Sequence, residues 1–201
     1  MIKKYLDKIF ISLGCIIIAI AILIKLNTIY RQNKLIDNYK EYISNMESED
    51  VLFNESPKGD SESQITQNEP DGMVGILSIP KIDLTVGIGK GVDNETLKYS
   101  VGYFTETSLP GEKGNFCVIG HRSYAYGEFF NRLDEIEQED DIIVGSNEKE
   151  FKYKVTDIKV VTPDEVSVLN QTEDSEITLI TCTPIRVGSH RLIIKGVLVD
   201  N

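Results

Sequence analysis

The chain has 201 residues, of which 32 are acidic and 21 basic, for a formal net charge of −11. Such an acid excess repels phosphate backbones and excludes nucleic acid as a partner. Three cysteines, Cys15, Cys117 and Cys182, show no CxxC or Cys/His ligand spacing, which argues against a structural zinc site.

Residues 9–24 are almost continuously apolar, and Leu26 extends the run past Lys25, whose stem can snorkel to an interface. A span of about 18 residues is just long enough to cross a hydrocarbon layer. Lys3, Lys4 and Lys8 precede it, as in a secretory leader, and Ala19-Ile20-Ala21 resembles a small-x-small cleavage site. Strongly apolar residues follow that site, so a retained signal-anchor is expected. It carries the rest of the chain to the extracellular side of the cell membrane in a single pass. So few cysteines in an exported chain suit a Gram-positive type of surface. Residues 27–46 have a helical tendency, with Tyr30, Lys34, Ile36, Tyr39 and Ile43 near a helix period. From Glu47 to Asp71 eight carboxylates face one lysine among Ser, Asn, Gln and Pro, a composition that reads as a flexible acidic linker. The organisation expected is therefore 1–27 tip and transmembrane anchor, 28–71 stalk and linker, and 72–201 folded body.

From Met73 onward, short apolar runs are divided by turn residues. Strands are predicted at 74–79, stopped by Pro80, at 84–88, and at 115–119, ending at Gly120. A helical turn is predicted at 94–99. Phe129, Phe130, Leu133 and Ile136 have helix spacing and predict a short helix over 127–136. Strands at 141–144 and 151–161 flank Gly145-Ser146-Asn147 as a hairpin turn. Another short helix is predicted at 164–169, and 177–182 and 190–199 are the last strands. Seven or eight strands with two or three helical turns and no αβ alternation predict an all-β, closed or nearly closed barrel.

Cys182 ends a strand beside a Thr183-Pro184 break, where a thiol can face a cleft, although its position alone better suits a small core residue. The two histidines are His121 and His190. His121 sits at a strand end, where an imidazole can carry protons or simply face solvent. His190 and Arg191 are adjacent on a strand and point to opposite faces, so one of them can share a cleft with Cys182. If the last two strands form a hairpin, Arg191 is a better partner for Cys182 than Arg122, Arg132 or Arg186.

Thr178-Leu179-Ile180-Thr181-Cys182 resembles the TLxTC active-site motif of sortases. Gly120-His121 is similar to the family's approach to its histidine, Arg191 in His190-Arg191-Leu192 to its last-strand arginine, and residues 74–82 to its opening strand. The likeness covers about residues 73–199. It implies an eight-stranded barrel and a cysteine transpeptidase that cleaves an LPxTG-like sorting signal between Thr and Gly through a thioacyl-enzyme. Cys182 is then the nucleophile, His121 the general acid and base, and Arg191 the group that holds the oxyanion or substrate. Thr181 and Thr183 beside the thiol become substrate contacts. The partners implied are surface proteins with a C-terminal sorting signal and an amine acceptor, such as the lipid II cross-bridge or a pilin lysine.

No cofactor is expected. Some sortases take calcium, but the acidic run Asp134, Glu135, Glu137, Glu139, Asp140 and Asp141 reads as a solvated loop. Thr181–Pro184 and Ser189–Leu192 are similar to pilin-polymerising class C enzymes. The single N-terminal anchor fits class A or class D better. Two rivals stay open: a tethered cysteine hydrolase without amine transfer, and a non-catalytic β-barrel binding module in which Cys182 is core.

Overall fold

The computed structural model describes residues 2–53, 72–122 and 129–199. It begins with one helix, α1 (Ile2–Phe53), followed by β1 (Met73–Ile79), β2 (Leu84–Lys90), α2 (Asn94–Tyr99), β3 (Val101–Tyr103) and β4 (Gly114–Ile119). The second half supplies β5 (Asp141–Ser146), β6 (Lys149–Val161), β7 (Ser175–Thr183) and β8 (His190–Leu198). The strands close in the order β1-β2-β3-β4-β7-β8-β6-β5. This is the eight-stranded barrel that the pattern of short strands predicts.

Helix α1 continues through Phe53, so residues 47–53 are helical where composition predicts linker. Adding residues to a nucleated helix fixes one residue per hydrogen bond, so a mediocre segment can follow a good one. Within Lys8–Asn45 the helix is long and apolar enough to cross a membrane, and that apolar window is not covered by the body. Further along, the stalk docks on the barrel. Tyr39 is only 4% exposed. Its hydroxyl donates to the Val74 carbonyl at 3.3 Å and accepts from the Asn147 amide at 3.4 Å. The Arg31 guanidinium lies 5.2 Å from the centre of the Tyr99 ring.

Alternation along the strands sorts two apolar clusters. Phe116 and Val118 of β4, Ile177 and Leu179 of β7, and Leu192 and Ile194 of β8 point into the barrel with Leu77, Phe130 and Tyr153. Their neighbours Ile180 and Ile193 point outward and pack beneath Val168 of the β6–β7 connection. Both faces of this part of the sheet are therefore covered. That is why β7 is buried continuously over residues 177–181 instead of at alternate positions.

Several local expectations shift. The helix predicted over 127–136 is a single 3-10 turn at Leu133–Glu135, with residues 123–128 outside the described ones. Phe129, Phe130, Leu133 and Ile136 are nevertheless all buried, so their spacing reported burial and not helix. The helix predicted at 164–169 is likewise a 3-10 turn, Val166–Leu169. Strand β5 runs on through Ser146, and the hairpin turns at Asn147-Glu148, both with positive φ (48° and 62°). Strand β3 was not anticipated: three residues with a central glycine carry too little pattern.

Candidate active site

The site lies at the end of the barrel where β4 and β7 finish and β8 begins. Strands β7 and β8 pair antiparallel with Cys182 directly opposite Arg191 and Thr183 opposite His190. Directly opposed residues on an antiparallel pair share a face. Cys182 is in phase with outward-pointing Ile180, and Arg191 with Ile193, so thiol and guanidinium stand together on the outer face. His190, in phase with Leu192, belongs to the other face and is exposed at the strand's start. Of the two adjacent residues, Arg191 is the one that joins Cys182.

Strand β4 runs parallel to β7, with Ile119 beside Ile180. One residue further, the Gly120 amide donates to the Ile180 carbonyl at 3.1 Å, and the Thr181 hydroxyl donates to the Gly120 carbonyl at 2.8 Å. Continuing this alignment brings His121 beside Cys182. β4 ends at Ile119, whose side chain faces outward, and the same alternation carried on to His121 would put its imidazole on the thiol's side. Gly120 is required here by packing: a Cβ would come within 2.7 Å of the Phe130 ring. Among the described residues the His121 imidazole makes no hydrogen bond, and its carbonyl accepts from the Phe130 amide at 3.3 Å.

Arg191 has two kinds of donor. Its Nη1 donates to the carbonyls of Gly188 (3.0 Å) and His190 (3.1 Å) and so braces the β7–β8 loop. Its Nε and Nη2 have no protein partner among the described residues, which leaves donors beside the thiol for an anionic or carbonyl oxygen. Gly188 has φ +63°, a conformation that disfavours other residues, and a Cβ there would lie 3.9 Å from Cys182 Sγ. The loop thus reaches over the thiol. Cys182 is half-buried, and Cys117, fully buried on β4, has its thiol pushed up to about 12 by burial. Both are free cysteines. A thiol so raised is inert, whereas the half-buried one is open to a reactant.

Thr181 and Thr183 point away from this face. Thr181 is fully buried with its hydroxyl given to Gly120. The Thr183 hydroxyl accepts from Arg122 Nη1 at 3.0 Å. Their side chains support the strand ends from within, and neither is offered to a ligand on the thiol's face.

Two residues with no motif of their own shape the site. Asn115, fully buried, donates from Nδ2 to the carbonyls of Val168 (2.9 Å) and Asn170 (3.1 Å) and accepts from the Thr178 hydroxyl at 2.7 Å. It pins the β6–β7 connection as a wall over the β4–β7 face. Arg122 is the other. An alternating-pattern argument applied to His121 would have flagged Arg122 as inward and therefore in need of partners.

Most of the acidic run is paired with cations. Asp134 pairs with Arg122 at 2.6 Å, Glu135 with Arg132 at 2.8 Å, and Glu137 with Lys81 at 3.0 Å. Asp141 pairs with Lys152 and Lys154 at 2.9 and 2.7 Å. No cluster of three or more His, Cys, Asp or Glu suited to a metal occurs among the described residues. Cavities of about 300 and 280 Å³ lie around Tyr39 and the 146–149 hairpin, at the opposite end of the barrel from Cys182.

Residues 77–199 match the family model for the sortase domain. The chain is 35% identical over 148 residues to Sortase SrtE1 of Streptomyces coelicolor, covering 66% of this chain and 42% of that protein. It is 35% identical over 126 residues to Sortase D of Bacillus subtilis, covering 61% and 62%. It is 32% identical over 127 residues to Sortase A of Bacillus anthracis, covering 63% and 60%. Matches thus span roughly two fifths to three fifths of these relatives' lengths. Among solved structures, Sortase C1 of GBS Pilus Island 1 is similar with a TM-score of 0.70 at 26% identity, covering 85% of this chain and 93% of that one. The Clostridium perfringens Sortase D5 transpeptidase is similar with a TM-score of 0.66 at 28% identity, covering 84% and 98%.

Proposed function

Because the chain belongs to the sortase family, we propose that it is a membrane-anchored cysteine transpeptidase acting on surface proteins that carry a C-terminal LPxTG-like sorting signal. The observation that carries this reading is the shared outer face of Cys182 and Arg191, with His121 brought alongside by the parallel register of β4 and β7.

The Cys182 thiolate attacks the carbonyl carbon of the signal's Thr, and the carbonyl electrons move onto oxygen. The free donors of Arg191 face that oxygen or hold the neighbouring peptide carbonyl. Collapse breaks the Thr–Gly C–N bond and forms a thioester, and His121 gives a proton to the departing glycine amine. An incoming amine then attacks the thioester carbonyl and loses its proton to His121. The thiolate leaves, and a new amide joins the surface protein to its acceptor, a cell-wall cross-bridge or a pilin lysine. The chemistry is carried by side chains, and no cofactor is proposed. The apolar part of α1 crosses the cell membrane once, with the barrel on the extracellular side.

The test uses the full chain in detergent, a set of five-residue sorting peptides and a glycine-type amine, with products read by mass spectrometry. Transfer product with the native chain and none with Cys182→Ala is expected. Cleavage giving only the free acid in excess amine would favour the hydrolase reading, and intact cleavage by folded Cys182→Ala would remove the cysteine mechanism.

A further inference from the structure

The residues that follow the histidine and the cysteine are joined to each other. The Arg122 side chain is only 4% exposed, and each arm of its guanidinium goes to a different part of the chain. Nη1 donates to the Thr183 hydroxyl at 3.0 Å, Nε to the Asn131 carbonyl at 3.3 Å, and Nη2 meets Asp134 Oδ1 at 2.6 Å. A guanidinium withdrawn from water is costly unless its donors are met, and here hydroxyl, carbonyl and carboxylate meet them. The planar fork fixes the three partners relative to one another in a way that a point charge cannot.

Alternation gives this junction its consequence. His121 and Cys182 point outward, while Arg122 and Thr183, one residue further along each chain, point inward. The Arg122–Thr183 bond therefore lies directly under the outward pair. Strand pairing between β4 and β7 ends at Ile119 and Ile180. Beyond it, the two bonds of Gly120 hold the backbone before His121, and Arg122 holds it after.

We infer that Arg122 is a positioning residue, which clamps the exit of β4 to the exit of β7 through Thr183 and so sets the imidazole of His121 against the thiol of Cys182. Asp134, half exposed at the barrel's end, pairs with the buried guanidinium and keeps it aimed. The inference rests on the His121–Cys182 pairing proposed above. It also gives Thr183 a role different from substrate contact: a contact residue changes KM, whereas a clamp changes kcat.

The experiment measures, on the full chain in detergent, the pH dependence of Cys182 alkylation by iodoacetamide, read by mass spectrometry on the Cys182 peptide. Wild type, His121→Ala, Thr183→Val, Thr183→Ser, Arg122→Met and Asp134→Asn are compared, with melting curves to establish folding. The expected result is that Thr183→Val and Arg122→Met move the profile toward that of His121→Ala, while Thr183→Ser overlays wild type. With a cleavable sorting peptide, Thr183→Val should lose about tenfold in kcat, the size of one hydrogen bond's worth of placement, with KM unchanged. Misplacing the imidazole by removing the whole fork should cost on the order of 100-fold.

A folded Thr183→Val whose profile coincides with wild type, where His121→Ala differs, overturns the clamp and leaves the catalytic pair intact. Coincidence of wild type and His121→Ala overturns the pair and the clamp together. A profile that moves in Thr183→Val when no peptide is cleaved supports the clamp and counts against the proposed substrate. If Arg122→Met does not fold, Thr183→Val decides.

Discussion

Arg191 stands directly across the β7–β8 ladder from Cys182, and one arm of its guanidinium is already committed to the loop carbonyls of Gly188 and His190. The same residue therefore shapes the loop over the thiol and offers donors beside it. Arg191→Lys keeps the charge but loses the fork, so it cannot do both. Turnover of a sorting peptide by Arg191→Lys should fall about 100-fold, the scale for losing one oxyanion donor, and Arg191→Ala at least as far. Melting should stay close to wild type, since the side chain is not part of the core. An Arg191→Ala enzyme with native turnover would return this arginine to the surface.

The two body cysteines should differ sharply toward alkylating reagents. Burial holds the Cys117 thiol up at about 12, so at pH 8 its thiolate is about one part in ten thousand. Native protein bearing Cys15→Ala should take up a single iodoacetamide adduct, at Cys182, and Cys182→Ala in that background none. Unfolding in guanidinium should expose the second site. An adduct on Cys117 in the native protein would contradict the enclosed position of β4.

The contrast between these cysteines marks how far the sequence could be read. Strand-end placement, the TLITC run and the order His121, Cys182, Arg191 were all legible, because strand period and motif are local properties. The fold was legible for the same reason, since turn residues cut the apolar runs into short strands. The helix predicted at 127–136 was not correct, because Phe129, Leu133 and Ile136 meet the core from an irregular turn, and burial spacing alone does not specify backbone. Asn115 carries no local signal as a site residue, and Arg122 is passed over in favour of Arg191. Their importance comes from partners 53 to 63 residues away for Asn115 and up to 61 for Arg122, separations that only the closed barrel resolves. The acidic run's cation partners are Arg132, three residues from Glu135, and Arg122, Lys81, Lys152 and Lys154, which the fold brings from further along the chain.

One member of that run predicts a pH dependence. Hydrogen bonds from Lys154 and then Lys152 hold the Asp141 carboxyl below its ordinary range. A carboxyl with a lowered folded pKa stabilises the fold above its unfolded pKa and loses that contribution as pH falls through the folded one. Asp141→Asn should therefore melt below wild type at pH 7, and the gap should close progressively as pH falls below about 4, the unfolded value, and through the lowered folded one. The group is partly solvated, so the gap should be modest and shrink with added salt. A gap that is constant from pH 7 to pH 2 would assign the effect to side-chain shape and not to charge.

The stalk's contact with the barrel predicts a separation of stability from activity. Tyr39 is enclosed at the end of the barrel that carries Val74 and the 146–149 hairpin, whereas Cys182 lies at the other end, where β7 leaves the sheet. Truncating a buried aromatic costs about 3 kcal/mol when the gap does not refill, which for a chain of this size is a fall of several degrees in melting temperature. Tyr39→Ala should show that fall in the full chain, and Tyr39→Phe a smaller one, because both hydroxyl bonds are long. Peptide cleavage in detergent should be unchanged by either, since strand polarity puts no part of the site near Tyr39. A wild-type melting curve for Tyr39→Ala would mean that helix and barrel do not share this contact in solution, and a loss of turnover with native stability would mean that the two ends of the barrel are coupled.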